Sequence, residues 1–212
     1  MVLFFDFDGV IVDSMPYWET LGADYLKRKG KVPEAEFREI IFPMTMEESA
    51  DYVKKTYGIE GSRKEIIDDM MAQIKEEYLT TIPLKAGVKE AIEKWHREGH
   101  TLAVITASEE EMVRAVLQRF SLSDYISFLF TCTTFHCSKR ETKIYEIAKE
   151  RTGIAGTNER GILFDDNLSA LKAAKEAGFL SVGIKDSSNG LYEEAIREET
   201  GYYLENLLDF SF

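Results

Sequence analysis

Short uninterrupted apolar runs alternate along most of this chain with stretches whose apolar residues recur every three or four positions. Val2 to Phe5 is the first run, and it ends on Asp6-Phe7-Asp8-Gly9. Leu102 to Ile105, Phe128 to Thr131, Gly161 to Phe164 and Leu180 to Gly183 are the others. Short apolar runs bounded by polar turns predict strands covered on both faces, as in a parallel sheet. Val88, Ala91, Ile92 and Trp95 have helical spacing, and Gly99 can end that helix. Val113, Val116, Leu117 and Phe120 mark a second helix, Ile144, Ile147 and Ala148 a third, and Leu168, Leu171 and Ala174 a fourth. Ser108 and Ser138 each stand three residues before a glutamate, the spacing of a capping box, which predicts helix starts at both. A terminal helix from Leu191 and a short strand near Tyr202 complete the pattern. Strands alternating with helices predict an α/β fold on a mainly parallel sheet.

Between Ser14 and Pro83 that alternation stops. Trp18, Leu21, Tyr25 and Leu26 form one apolar stripe; Ala50, Val53 and Tyr57 form another; Ile67, Met70, Met71, Ile74 and Tyr78 form a third. A weaker helix is expected near Glu34 to Ile41. All four prolines fall in this stretch, with Pro16 and Pro83 at its edges, where they would stiffen two linkers. The chain therefore reads as a core of residues 1–13 and 84–212, carrying an all-α cap lobe over 14–83.

Composition agrees with that division. The chain has 212 residues, 44% of them hydrophobic, enough to bury one core and a small second lobe. The formal net charge of −12 argues against nucleic acid and against anionic membranes as partners. No apolar run approaches the ~20 residues needed to span a bilayer, and the acidic start is unlike a secretory signal. A cytoplasmic protein with reduced thiols at Cys132 and Cys137 is expected.

The polar residues that close the strands carry the chemistry. Asp6 and Asp8 follow the first, Thr106 and Ser108 the second, Lys139 the third after a loop, and Asp165 and Asp166 the fourth. The carboxyl ends of such strands line the ligand crevice of open α/β sheets, so these residues should converge. Gathered carboxylates either raise one another's pKa or bind a cation, and oxygen ligands alongside phosphate favour Mg²⁺. Thr106 offers a hydroxyl and Lys139 a compact charge, which a phosphoryl group requires. Lys139 is also expected in a first helical turn, where an unpartnered cation is disfavoured and a bound anion would offset the cost.

Taken together, these segments resemble the haloacid dehalogenase (HAD) superfamily. Asp6-Phe7-Asp8-Gly9-Val10 is similar to its first motif, DxDG; Ile105-Thr106-Ala107-Ser108 to its second; Lys139, with Tyr145 six residues on, to its third; Phe164-Asp165-Asp166-Asn167 to its fourth. They occur in the family's order over nearly the whole chain. The resemblance implies a Rossmann-like three-layer core with a helical cap after the first motif. It implies that Asp6 takes the phosphoryl group and that Asp8 serves as acid and then base. Asp6, the Asp8 carbonyl and Asp166 would hold Mg²⁺, with Asp165 acting directly or through water. Thr106 and Lys139 would grip the phosphoryl group, aided by Ser108 or the Ala107 N–H. Phosphate-transferring members have an acid two residues after the nucleophile and dehalogenases need none, so Asp8 favours a phosphatase acting on a small phosphorylated metabolite.

Two rival functions stand beside it. A phosphomutase resembling β-phosphoglucomutase usually has a His where Trp18 stands and an arginine in the segment where Phe42-Pro43-Met44-Thr45-Met46 has none. A phospho-acceptor module gathers the same residue types in a different order. Plainer readings compete at single residues. Thr106 alone could be a strand residue, Ser108 an N-cap first and a ligand second, and Lys143 a rival for Lys139, since Arg140 replaces the family's usual proline. Cys132, His136 and Cys137 lack a second ligand pair for zinc and read as ordinary thiols beside a histidine. Asn167-Leu168-Ser169 carries no glycosylation meaning in a cytosolic chain. Met44, Met46, Met70 and Met71 read as packing, and Trp18 or Tyr17 as candidates to face the substrate.

Overall fold

The computed structural model of the chain describes residues 1–41 and 43–212, so Phe42 of the Phe42–Met46 segment lies outside the described residues. The described residues separate into two compact units, Met1–Asp13 with Pro83–Phe212, and Ser14–Ile82.

The larger unit is built on a six-stranded sheet in the order β3-β2-β1-β4-β5-β6. Its strands are β1 (Val2–Phe5), β2 (Thr101–Thr106), β3 (Ile126–Thr131), β4 (Gly161–Asp165), β5 (Leu180–Ile184) and β6 (Tyr203–Leu204), and every pairing is parallel. This is the α/β architecture on a parallel sheet that the alternating pattern predicts, and the Rossmann-like core that the resemblance implies. Strand β1 lies at the centre and is buried throughout. Successive side chains of a strand point to opposite faces, and Phe4 and Phe5 show the two layers this creates. Phe4 packs with Phe130 and Phe179 in a cluster that includes Ile144, Tyr145 and Ala148 of α8 (Lys143–Thr152) and Ala173 and Ala174 of α9 (Leu168–Glu176). Phe5 stacks on Trp95 of α5 (Val88–Arg97) and on Phe164, with Phe210 against Phe164 edge-on. Each fully buried aromatic ring contributes about 1.5–3 kcal/mol by leaving water.

The smaller unit holds α1 (Met15–Arg28), α2 (Phe37–Ile41), α3 (Met46–Tyr57) and α4 (Arg63–Thr80). Thr45 with Glu48, and Ser62 with Glu65, form complete capping boxes at the starts of α3 and α4. The apolar side of α4 is Ile66, Met70, Ile74 and Tyr78 rather than the expected stripe through Ile67 and Met71, and Met71 is exposed. A repeat of four selects one residue of each adjacent apolar pair, and the buried amide of Gln73 fills the remaining place. Pro16 is not in a linker but in the first turn of α1, where its missing N–H costs nothing.

The two crossings between units run side by side on the core. Asp13 N–H donates to the Pro83 carbonyl and Lys85 N–H to the Ile11 carbonyl, and Val12 bridges Leu84 in antiparallel fashion. Pro83, expected in the insert, groups with the sheet because its carbonyl is part of this pairing.

Three helix starts depart from expectation. The helix after β2, α6 (Glu110–Arg119), is capped by Glu109 and not by Ser108. A short helix, α7 (Cys132–Phe135), occupies the stretch after β3. Helix α8 starts at Lys143 behind Thr142, so Lys139 lies in a loop and the expected first-turn dipole does not act on it. In both serine cases the hydroxyl is engaged elsewhere: Ser108 Oγ donates to Asp8 and Ser138 Oγ accepts from Arg140 N–H. Helix α10 (Glu193–Thr200) follows the loop after β5. Among the described residues, no helix is long and apolar enough to cross a membrane.

Candidate active site

Parallel register brings the polar residues together. Phe5 pairs with Val104 on one side and with Phe164 on the other, so Asp6, Thr106, Asp165 and Asp166 emerge at the same end of the sheet. Strands are added outward from β1 in one direction through β2 and β3, and then in the other through β4 and β5. This reversal opens a crevice beside β1 at the carboxyl ends.

Asp6 is the buried centre of the group. Its Oδ1 accepts from Phe7 N–H at 2.7 Å, and its Oδ2 lies 2.5 Å from Lys139 Nζ. Lys139 also donates to Asp165 Oδ2 at 2.8 Å, and Asp165 Oδ1 accepts from Asn167 N–H at 2.9 Å. Among the described residues these two carboxylates are the acceptors of Lys139, which leaves one of its three N–H groups uncommitted. The Tyr145 hydroxyl is shared between the Lys139 carbonyl, at 2.9 Å, and the Ala170 carbonyl, at 3.1 Å, and so anchors the lysine loop to the core. Lys143, the rival by sequence, is exposed on α8.

On the other side, Ser108 Oγ donates to Asp8 Oδ2 at 2.5 Å. Ser108 N–H donates to Thr106 Oγ1 at 2.9 Å, and Thr106 is fully buried. Ala107 is exposed between them. Cys132 and Cys137 are free and belong to the apolar cluster beneath α8 rather than to a metal site.

Asp6, Asp165 and Asp166 each offer a carboxylate oxygen within 4.8 Å of the others, a set that could hold a metal ion. The Asp8 carboxylate stands outside this trio, on Ser108. Among the described residues no donor reaches the Asp166 carboxylate, whereas both oxygens of Asp165 are engaged. Burial, the largest cause, and the neighbouring Asp165 push the Asp166 carboxyl up to about 7, against the pull of Lys139 and Lys85. Burial and three neighbouring carboxylates also push Asp6 well above the usual carboxylate range, although Lys139 opposes them. Lys139 itself stays protonated, because Asp165 and Asp6 outweigh its desolvation. The cluster is thus short of positive charge, and an all-oxygen donor set with that deficit suits Mg²⁺. Gly9 completes the cradle. Its φ is +72°, and a Cβ there would lie 2.8 Å from Asp166 Oδ2.

Three further polar residues border the site, and no chemical motif in the sequence singles them out. Lys85, Asp186 and Asn189 form a buried network behind Asp166 and Gly9. The bonds that tie them to Gly9, to Asp166 and to one another across the loops span 23 to 101 residues, so only the closed sheet reveals them.

Comparisons with known proteins agree with this geometry. Residues 3–184 match the family described as haloacid dehalogenase-like hydrolase. Hexitol phosphatase B of Escherichia coli is 24% identical over 186 residues, covering 84% of this chain and 80% of that protein. The phosphorylated carbohydrates phosphatase of Thermotoga maritima is 25% identical over 199 residues, covering 87% and 85%. A Thermotoga maritima structure described as a candidate β-phosphoglucomutase superposes with a TM-score of 0.84 at 22% identity, over 97% of this chain and 94% of that one.

Proposed function

The chain belongs to the haloacid dehalogenase-like hydrolases and is a phosphoric monoester hydrolase of that family; on that premise we propose that it hydrolyses a small phosphorylated carbohydrate through a phosphorylated Asp6. The observation that carries this reading is the single polar group around β1. It combines a buried Asp6 held by Lys139, an Asp8 held by Ser108, and Asp166 without a donor among the described residues. The substrate class follows the carbohydrate phosphatases among the relatives.

In the first half of the reaction an Asp6 oxygen forms a bond to phosphorus as the bond to the leaving oxygen breaks, and Asp8 gives that oxygen its proton. In the second half a water oxygen bonds to phosphorus, the bond to Asp6 breaks, and Asp8 takes the water proton. Phe7 N–H and Lys139 aim the Asp6 carboxylate. Lys139 turns its remaining N–H to a phosphoryl oxygen, with the Thr106 hydroxyl and the Ala107 N–H as further donors; Ser108, expected as one, gives its N–H to Thr106 and its hydroxyl to Asp8. Asp6, Asp166 and the Asp8 carbonyl would hold Mg²⁺, with Asp165 beside them in the same carboxylate group. When bound, Mg²⁺ supplies the positive charge that lets one anion attack another.

The unit 14–82 acts as the cap and carries the choice of leaving group, since a fixed core with a variable insert separates chemistry from recognition. A mutase needs a second phosphate site, and Pro43-Met44-Thr45-Met46 supplies no cation for one.

Purified protein with Mg²⁺ should release phosphate from an aryl phosphate and from members of a sugar and sugar-alcohol phosphate panel, and Asp6→Asn should fall to background. Failure to release phosphate, or full activity in Asp6→Asn, would overturn the reading. Interconversion of sugar phosphates without net phosphate release would favour the mutase.

A further inference from the structure

Lys85 has the look of a second phosphate cation. Its side chain is 15% exposed and it lies beside the carboxylate cluster. Its hydrogen bonds exclude that role. An ammonium has three N–H groups, and those of Lys85 meet the Gly9 carbonyl at 2.8 Å, the Lys185 carbonyl at 2.6 Å and Asp186 Oδ2 at 2.8 Å. No donor is left for a substrate.

What those bonds hold is specific. Gly9 follows Asp8 and sits so close to the Asp166 carboxylate that a Cβ would not fit. Lys85 grips this turn twice, because its backbone N–H also bonds the Ile11 carbonyl. Asp186 is held in turn by Ser188, whose N–H and hydroxyl both reach Oδ1. Asn189 then donates from Nδ2 to the Asp166 carbonyl at 3.1 Å and to the Ile184 carbonyl at 3.0 Å. One network therefore ties together the loops after β1, β4 and β5. Two of these loops carry the proposed metal ligands, and the third carries none. A buried ion pair is weak evidence for a stabilising role, so stability alone does not account for the arrangement.

We propose that Lys85, Asp186 and Asn189 form a positioning unit that sets how tightly this site takes a divalent cation, while touching neither the cation nor the substrate. The proposal rests on the reading that Asp6, Asp166 and the Asp8 carbonyl hold Mg²⁺. Residues that orient ligands from behind typically change metal affinity by about 10- to 100-fold when removed.

The test is Mg²⁺ binding by titration calorimetry on the full chain, below the melting temperature of each variant. The variants are Lys85→Met, the charge-compensated pair Lys85→Met with Asp186→Asn, and Asn189→Ala. The pair and Asn189→Ala leave no unpaired buried charge, so they give an answer even where Lys85→Met alone does not fold. The expected result is a Kd for Mg²⁺ weakened by about tenfold or more in each folded variant, with the phosphatase activity lost at low Mg²⁺ recovered as Mg²⁺ is raised. Unchanged Mg²⁺ affinity in folded variants, even with a lowered melting temperature, would overturn the proposal and leave the network as a brace for the fold. Absence of Mg²⁺ binding by the unaltered protein would overturn the metal reading and this proposal with it.

Discussion

Ser108 divides its two polar groups between the halves of the site. Its N–H goes to Thr106 and its hydroxyl to Asp8. A hydrogen bond to a charged group contributes about 1.5–3 kcal/mol. If Asp8 handles the proton, Ser108→Ala should lower kcat by about tenfold to a hundredfold, with little change in Mg²⁺ affinity. Steady-state kinetics at saturating Mg²⁺ will check this, and an unchanged kcat would mean that Asp8 holds its place without the hydroxyl. The carboxylates were legible because each lies at or just beyond the end of a buried strand, a position that register alone carries to the crevice. Lys139 was legible by its spacing to Tyr145, and the hydroxyl of Tyr145 on the Lys139 carbonyl gives that spacing a physical basis. The tie between Ser108 and Asp8 spans 100 residues, and no local pattern announces it.

At the scale of elements, the loop after β4 combines a proposed ligand group with a helix start. Asn167 Oδ1 accepts from Ser169 and Ala170 N–H and so caps α9, while the Asn167 N–H steadies Asp165. Asn167→Ala removes the cap but keeps the backbone donor. It should cost about 1 kcal/mol in a denaturant titration, and a loss near zero would show that α9 draws its stability from packing on β5 instead. Strands β1, β2, β4 and β5 followed from their apolar runs because burial on both faces leaves few alternatives, whereas β3 is fully buried only at Phe130 and Thr131. Helix starts did not follow as well. Ser108 and Ser138 have the capping spacing, yet a cap also needs a free hydroxyl and the right backbone angle. Asp8 takes one hydroxyl and Arg140 N–H engages the other. Complete boxes form at Thr45 and Ser62, inside the smaller unit, and at Asp186 with Asn189 in the larger one.

For the whole molecule, a net charge of −12 and a trio of carboxylates that could hold a metal ion would make stability depend on pH and metal together. Asp166 titrates at about 7 in the folded chain against 3.8 for the ordinary group. Between those values the folded state holds the extra proton. Its contribution to stability is therefore full below the lower value and is lost as pH rises through the higher one. Asp6 is shifted in the same direction. Mg²⁺ would take the proton's place, so the rise in Tm on adding it should be small near about pH 5 and large near about pH 8. Melting curves with and without Mg²⁺ across that range will measure it, and a shift independent of pH would place the ion away from these carboxylates.

The paired crossings at 11–13 and 83–85 have a consequence for descent. Where a chain leaves its fold and returns through hydrogen-bonded neighbours, the passage between them is a parenthesis. It can be lengthened, exchanged or struck out while the sentence around it still reads. The turn at Gly9 and the sheet beneath it need not register the edit. Reaction and recognition would then be inherited on separate stretches of one gene, free to change at different rates.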